Sequence, residues 1–530
     1  FTPGSSSNRY NLISNLSSDI NDWLSWRSNI NYIQNTSDTE TGGIAYVNLL
    51  TIPTTYVARQ SNGEWGSYEG GKPAALVNMQ RNPLRQLEEG GWNKSKSENT
   101  LINLAVDIKP IKGLVLTGEM IYKAYDYKYR VYEANRPKIK DFVTGKELNG
   151  TDVTDSKMTY DWQENSRLTY NGLANYTWTD NIHNIGVLAG VSYEHYQYQK
   201  QKSYRKKFPT NGMTDINGGS SAPNDMYTEG GTNEDKLMSY FARFNYSYKD
   251  RYLFEANIRA DASSRFHKDN RWGYFPSVSA GWVISNESFM SGIKWLDFLK
   301  LRASWGQNGN CNVSTFQYLS LITSNNGYGG YTFGDSMDLI STGSYAYRLT
   351  NPDLTWETQE QLNFGIDARF LNNRLGFEFD WYNKNTRDWL VTAPVLSSFG
   401  ANAVSVNGGN VKNTGIEVGL HWNDNIGKDF QYGANLTLAH NKNEVTKIAN
   451  KDGIIHGSGS VLWEGAEECF RAEVGKPIGY FYGYKSNGIF QNQEQIDNYK
   501  GPKLNGDKTQ PGDVIWADTD NSGTLDANDR

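Results

Sequence analysis

The chain has 530 residues, 21% of them charged, and a formal net charge of −6, so it lacks the basic footprint of a nucleic-acid binder. Mean hydropathy is −0.67 and no run of about 18 apolar residues occurs, which excludes a helical membrane span. A strand-built membrane wall is not excluded, because it hides apolar residues at every second position. The 34 Tyr, 16 Trp, 52 Gly and only two Cys suit that class.

Period-two alternation, the mark of a strand, recurs in pairs closed by short turns. Tyr10, Leu12 and Leu16 lead through Ser17–Asp22 to Leu24, Trp26, Ile30 and Tyr32. Ile102, Leu104, Val106 and Ile108 lead through Lys109–Gly113 to Leu114, Leu116, Met120 and Tyr122. Leu168–Trp178 turns at Thr179–Asn184 into Ile185–Tyr193. The fourth pair is the clearest. Tyr240, Ala242, Phe244, Tyr246 and Tyr248 precede the turn Lys249–Arg251, and Tyr252, Phe254, Ala256, Ile258 and Ala260 follow it. Val278–Ile284 and Leu299–Trp305 flank Asn286–Asp297. Leu362–Phe370 and Leu375–Trp381 flank Leu371–Arg374. Ile416–Trp422 and Phe430–Leu438 flank Asn423–Asp429. Seven pairs predict about fourteen strands.

The opposite strand ends join through long connections, roughly 35–96, 132–157, 203–234, 311–355 and 446–530. Long loops on one side and short turns on the other predict an all-β fold, a transmembrane antiparallel β-barrel with periplasmic turns. Trp26, Trp178, Tyr248, Tyr252, Phe370, Trp422 and Phe430 lie on the apolar face near the short turns and predict an interfacial aromatic belt. A soluble sheet core is the alternative reading of these rings. Residues 1–445 are expected to form the wall, and 446–530 an extracellular loop region. The basic run Lys200, Lys202, Arg205, Lys206 and Lys207 reads as a solvated wall or, less simply, as a contact with lipopolysaccharide. Cys311 and Cys469 stand too far apart for the sequence to pair them. The chain opens on Phe1 with no signal peptide and stops at Arg530 in loop-like sequence, as expected of an internal piece of a longer protein.

The stretch SYFARFNYSYKDRYLFEANIRADASSRF, then NRWGYFPSVSAGWVISNESFM, resembles the SusC/RagA family of TonB-dependent outer-membrane transporters. LKLRASWGQNGN, NPDLTWETQEQLNFGIDARFLNNRLGFEFDWYNKNTRD, NVKNTGIEVGLHWN and PGDVIWADTDNSGTLDANDR extend the likeness in family order from about 236 onward. Residues before about 235 match only in strand pattern. The resemblance implies a barrel of 22 strands with an N-terminal plug in a Gram-negative outer membrane of the Bacteroidota type. It implies a SusD-like surface lipoprotein as lid, import driven through TonB–ExbB–ExbD, and oligosaccharide or oligopeptide substrates. Against that pattern the chain shows no plug, no TonB box and about eight strands too few.

Three constellations are candidates for chemistry. Asp518, Asp520, Ser522, Thr524, Asp526 and Asp529 have EF-hand loop spacing, with Gly523 at the sharp turn, and predict a structural Ca²⁺ site. Asp at the last position is a short arm for bidentate ligation, and an acidic loop held by Asx turns is the alternative. Arg243, Glu255, Arg259, Asp261, Asp367, Arg369, Glu378 and Asp380 fall on the polar, lumen-facing side of their strands. Glu378 and Asp380 raise the question of glycosidase chemistry, but two carboxylates on one strand face are also what a wet wall produces. Loop aromatics Tyr328, Tyr331, Tyr345, Tyr347 and Trp463 are candidates for stacking on substrate, with packing of loop on loop or on the lid as the alternative. Tyr480–Tyr484 alternates like a strand and reads as structural. The six histidines show no metal-ligand spacing. No catalytic residue or catalytic cofactor is expected. The reading is an importer, with a barrel hydrolase or a surface adhesin as the other classes.

Overall fold

The computed structural model describes residues 4–40, 58–65, 83–140, 145–147, 152–213, 215–324, 330–333, 339–346, 348–392, 400–462 and 465–530. Fourteen strands form one antiparallel sheet, each beside its neighbour in sequence. They are β1 (Ser6–Asn21), β2 (Leu24–Glu40), β3 (Gly91–Ile111), β4 (Leu114–Glu133), β5 (Lys157–Thr179), β6 (His183–Lys206) and β7 (Met226–Tyr248). Then come β8 (Tyr252–Ser263), β9 (Trp272–Val283), β10 (Leu296–Asn310), β11 (Glu357–Phe370), β12 (Leu375–Arg387), β13 (Gly409–Ile426) and β14 (Phe430–Ile448). The seven predicted pairs are all present. Four of the seven turns are tighter than the sequence implied, while Lys249–Arg251 and Leu371–Arg374 stand as read. β1 runs on through the polar residues Ser17–Asn21, and β13 runs to Ile426, because ladder hydrogen bonds do not require an apolar side chain.

The chain divides into two compact units, one of residues 1–176 with 188–240, the other of 177–187 with 241–530. In the first, Ile102, Leu104, Val106 and Ile108 of β3 share a face with Leu114, Leu116, Met120 and Tyr122 of β4, as the register fixes. The other face is polar. Arg27 binds Asp107, whose carboxylate also accepts from Thr117 Oγ1 at 2.6 Å, and Glu119 accepts from Asn103 and Asn171. Leu104 and Val106 are more than 40% exposed. Apolar side chains bare on one face, with hydrogen-bonded polar groups on the other, are what a wall between lipid and a wet interior requires.

In the second unit the turn Lys249–Asp250 puts two consecutive residues at φ 50° and 51°. That backbone matches the twist of a tight hairpin. Beside it the belt forms. Trp178, His183, Tyr246, Tyr248, Tyr252 and Trp282 make a chain of ring contacts with centroids 5.3–6.4 Å apart. Trp295 stacks on Phe370. Residues after β14 build a separate small core, in which Phe490, Ile496 and Ile515 pack with Tyr499.

Candidate functional site

The polar face of β10–β12 carries the strongest local arrangement. Leu299, Leu301, Ala303 and Trp305 occupy one face of β10, so Arg302 must occupy the other. Its partner on β11 is Gly365, and the partner of Gly365 on β12 is Asp380. The guanidinium crosses the bare glycine. Nη1 and Nη2 donate to the two oxygens of Asp380 at 2.7 Å each, and Nε donates to Asp367 at 3.1 Å. A Cβ on residue 365 would lie 2.4 Å from Cζ of Arg302, so the side chain can lie there only over glycine. A fork of this kind is the strong, geometrically specific form of an Arg–carboxylate pair. Arg302 was missing from the lumen charges drawn from sequence. Its signal was the alternation of LKLRASW, which puts it opposite three apolar residues and one tryptophan.

Arg302 also lines an open concavity of about 600 Å³ with Asn245, Glu255, Ser279, Lys300 and Asn363. Five more of the predicted wall charges have local partners. Arg259 Nε lies 2.8 Å from both oxygens of Asp261. Glu255 accepts from Asn257, Arg369 lies over the ring of Phe298, and Glu378 lies 3.8 Å from His421. Asp380 is thus committed to Arg302 and Glu378 faces an imidazole. This is a polar surface whose charges are largely paired with one another.

Of the predicted substrate aromatics, Tyr328, Tyr347 and Trp463 lie outside the described residues. Tyr331 is placed only as a residue of the strand Gly330–Phe333, and Tyr345 is exposed in the strand Ser344–Ala346. Tyr480–Phe481 does form a short strand, against Phe470–Arg471. Arg471 holds that segment. Its Cζ lies 3.5 Å from the ring centre of Tyr482, Nε donates to Tyr480 Oη, and Nη2 donates to Glu473 at 2.9 Å. The Tyr480 hydroxyl, donating at 2.6 Å, and Arg471 hold the Glu473 carboxyl below its usual pKa. Cys311 and Cys469 form no disulfide. In the basic run after Tyr193, Lys200 is paired with Glu229 and Lys207 with Asp225.

In the acidic loop, Asp518, Asp520 and Asp529 bring one carboxylate oxygen each within 4.8 Å of the others. Asp529 is 1% exposed. The backbone amides of Asp526 and Thr519 hold its carboxyl below the usual range. Asp518 accepts from the amides of Ser522 and Gly523. Ser522 Oγ bonds to Thr524, and Asp526 caps the turn at Asn528. Three of the six predicted ligands therefore converge, and all six serve the loop's own hydrogen bonds.

Residues 3–457 match the family model described as TonB dependent receptor-like, beta-barrel. The TonB-dependent receptor SusC of Bacteroides thetaiotaomicron is 35% identical over 297 residues, 56% of this chain and 28% of that protein. The TonB-dependent receptor P39 of Formosa agariphila is 29% identical over 414 residues, 78% of this chain and 37% of that protein. Among solved structures, the RagAB peptide transporter superposes with a TM-score of 0.76 at 26% identity, over 92% of this chain and 51% of that one. The RagAB peptide importer in its closed-closed state gives 0.78 at 24% identity, a likeness of fold. The chain spans roughly a third of these curated relatives and about half of the solved chains. The match across its strands is what decides: the chain belongs to the TonB-dependent receptor β-barrel family, of the SusC/RagA type, and is part of a Gram-negative outer-membrane wall.

Proposed function

We propose that the protein to which this chain belongs imports oligosaccharides or oligopeptides across the outer membrane, energised through TonB and covered by a SusD-like surface lipoprotein. The observation that carries the reading is the division of the strand faces. One is bare and apolar, and the other is polar and ion-paired, as Arg302, Asp367 and Asp380 are across three strands. Such a face suits hydrated, polar cargo. The relatives are receptors and transporters, and Asp380, held in a two-pronged bond to Arg302, is not a free carboxylate for a hydrolase. Residues 446–530 would lie on the extracellular side, within reach of the lid.

The test is uptake. A strain lacking the gene, supplied with labelled oligosaccharides and labelled oligopeptides, should lose uptake of one of the two classes, and a protonophore should reproduce the loss. Undiminished uptake of both would overturn the proposal. Affinity purification in mild detergent should bring a lipoprotein with it, whereas a lone monomer would remove the lid. For the acidic loop, Ca²⁺ binding is an expectation with its own measurement: a calorimetric titration of the intact protein that stays silent at millimolar Ca²⁺ would end it.

A further inference from the structure

The outward face of β1–β5 changes character abruptly along its length. From the short turn after β3, the side chains on the apolar face are Ile108, Val106, Leu104, Ile102 and Thr100. On β4 they are Leu114 to Ala124. That span is about 9–11 residues, the length that crosses a bilayer. Tyr32 closes it, donating to Glu98 at 2.6 Å. Charges then begin on the same face, in rows set by the register. The first row is acidic, with Glu98 opposite Asp126 and Asp126 opposite Glu164. The next two rows are basic, with Lys96 opposite Lys128 and Lys94 opposite Arg130. Trp162 sits beside Lys128 and Tyr160 beside Arg130.

These basic rows line a concavity of about 540 Å³ together with Asp38 and Trp162. The charges in it are unevenly used. Lys94 is paired with Asp38 and Lys96 with Glu98, each at 3.0 Å. Lys128 and Arg130 are exposed and have no carboxylate within ion-pair distance among the described residues. Arg130 instead lies near the rings of Trp92 and Tyr160, at 5.8 and 5.9 Å. The hollow opens on the face that continues the lipid-facing apolar band, not on the face that carries Asp107 and Glu119. Its height is where the phosphates of outer-leaflet lipid lie. An aromatic rim and unpaired cations at that height are the features that hold an anionic headgroup above buried acyl chains.

We propose that Lys128 and Arg130, supported by Lys94, Lys96 and Trp162, bind the phosphate of an outer-leaflet glycolipid whose acyl chains lie along β3 and β4. The acidic row fixes where the phosphate sits. It is repelled from Glu98, Asp126 and Glu164 and settles on the two rows beyond them. The inference rests on the outer-membrane placement of the strands and is independent of what is imported.

The test is native mass spectrometry of the full-length protein in defined detergent. It is titrated with bisphosphorylated lipid A, the same lipid after enzymatic dephosphorylation, and inorganic phosphate. The wild type should retain one phosphorylated lipid. Lys128→Gln with Arg130→Gln should retain about thirtyfold less, as the loss of two cations near an anionic headgroup predicts. Lys123→Gln, on the opposite face of β4, should retain as much as the wild type. Equal retention by the double variant, or equal retention of the dephosphorylated lipid, overturns the proposal. Displacement of the lipid by inorganic phosphate at matched concentration also overturns it, since free phosphate is then the ligand. Folding is checked by heat-modifiable migration in gels. If the double variant fails that check, Lys128→Gln alone should lower retention about fivefold, and unchanged retention overturns the assignment.

Discussion

The sheet and the segment after β14 are held together in opposite ways. The sheet has long strands in register with their neighbours and bare apolar side chains on one face. Its order comes from backbone ladders, and its apolar face awaits lipid. The later segment has short strands and compensates with local side-chain work, a three-residue apolar core and the Arg471 cluster. A wall delegates burial to the membrane, while a segment of short strands must bury its own groups. The two regions should therefore fail under different insults.

The largest effect is expected in the small core. Phe490 is 1% exposed, and Phe490→Ala should cost about 3–5 kcal/mol of local stability. Hydrogen exchange should rise across 486–516 and stay unchanged in β10–β12; a rise in both would show that the regions unfold as one. Next, Ile258→Lys puts a charge on the lipid face and should cost about 2–4 kcal/mol in assembly. Asn257→Lys, on the wet face beside Glu255, should cost much less. Folded yield in outer-membrane fractions compares them, and equal yields would overturn the assigned faces. Third, Gly365→Ala should displace Arg302 and cost about 1–3 kcal/mol through overpacking. Adding Arg302→Ala should recover part of that loss in thermal unfolding, and a strictly additive pair would mean that the two do not meet. The smallest effect is with pH. The Glu473 carboxyl is held below its usual pKa in the folded state, so its contribution is full above the unfolded value of about 4.3. It fades as the pH falls through the lower folded value. Protease resistance of 453–484 should drop in that acid window, and Glu473→Gln should flatten the profile.

The division between the regions also explains what the sequence could tell. Alternation alone located all fourteen strands, because one face of each meets lipid and the other water, and a one-residue error would invert both. It misjudged the ends of β1 and β13, where polar residues stay in the ladder. Within the site, the carboxylates Asp367 and Asp380 were legible from strand parity. Their joining by Arg302 was not, because that depends on Gly365 standing opposite, a fact of register between strands more than fifty residues apart. The use of Asp526 and Asp529 in their own loop's caps was equally hidden, since the same spacing serves a cation or a turn.

The bare glycine under Arg302 has a consequence for how the strands find one another. If β11 slips by one residue against β10, Phe364 or Ile366 replaces Gly365 opposite Arg302. The guanidinium then meets a bulky side chain's strand position, and the path to Asp380 closes. A one-residue misalignment thus breaks a two-pronged ion pair as well as turning apolar residues toward water. The clamp favours one alignment of three consecutive strands out of those the backbone alone would accept.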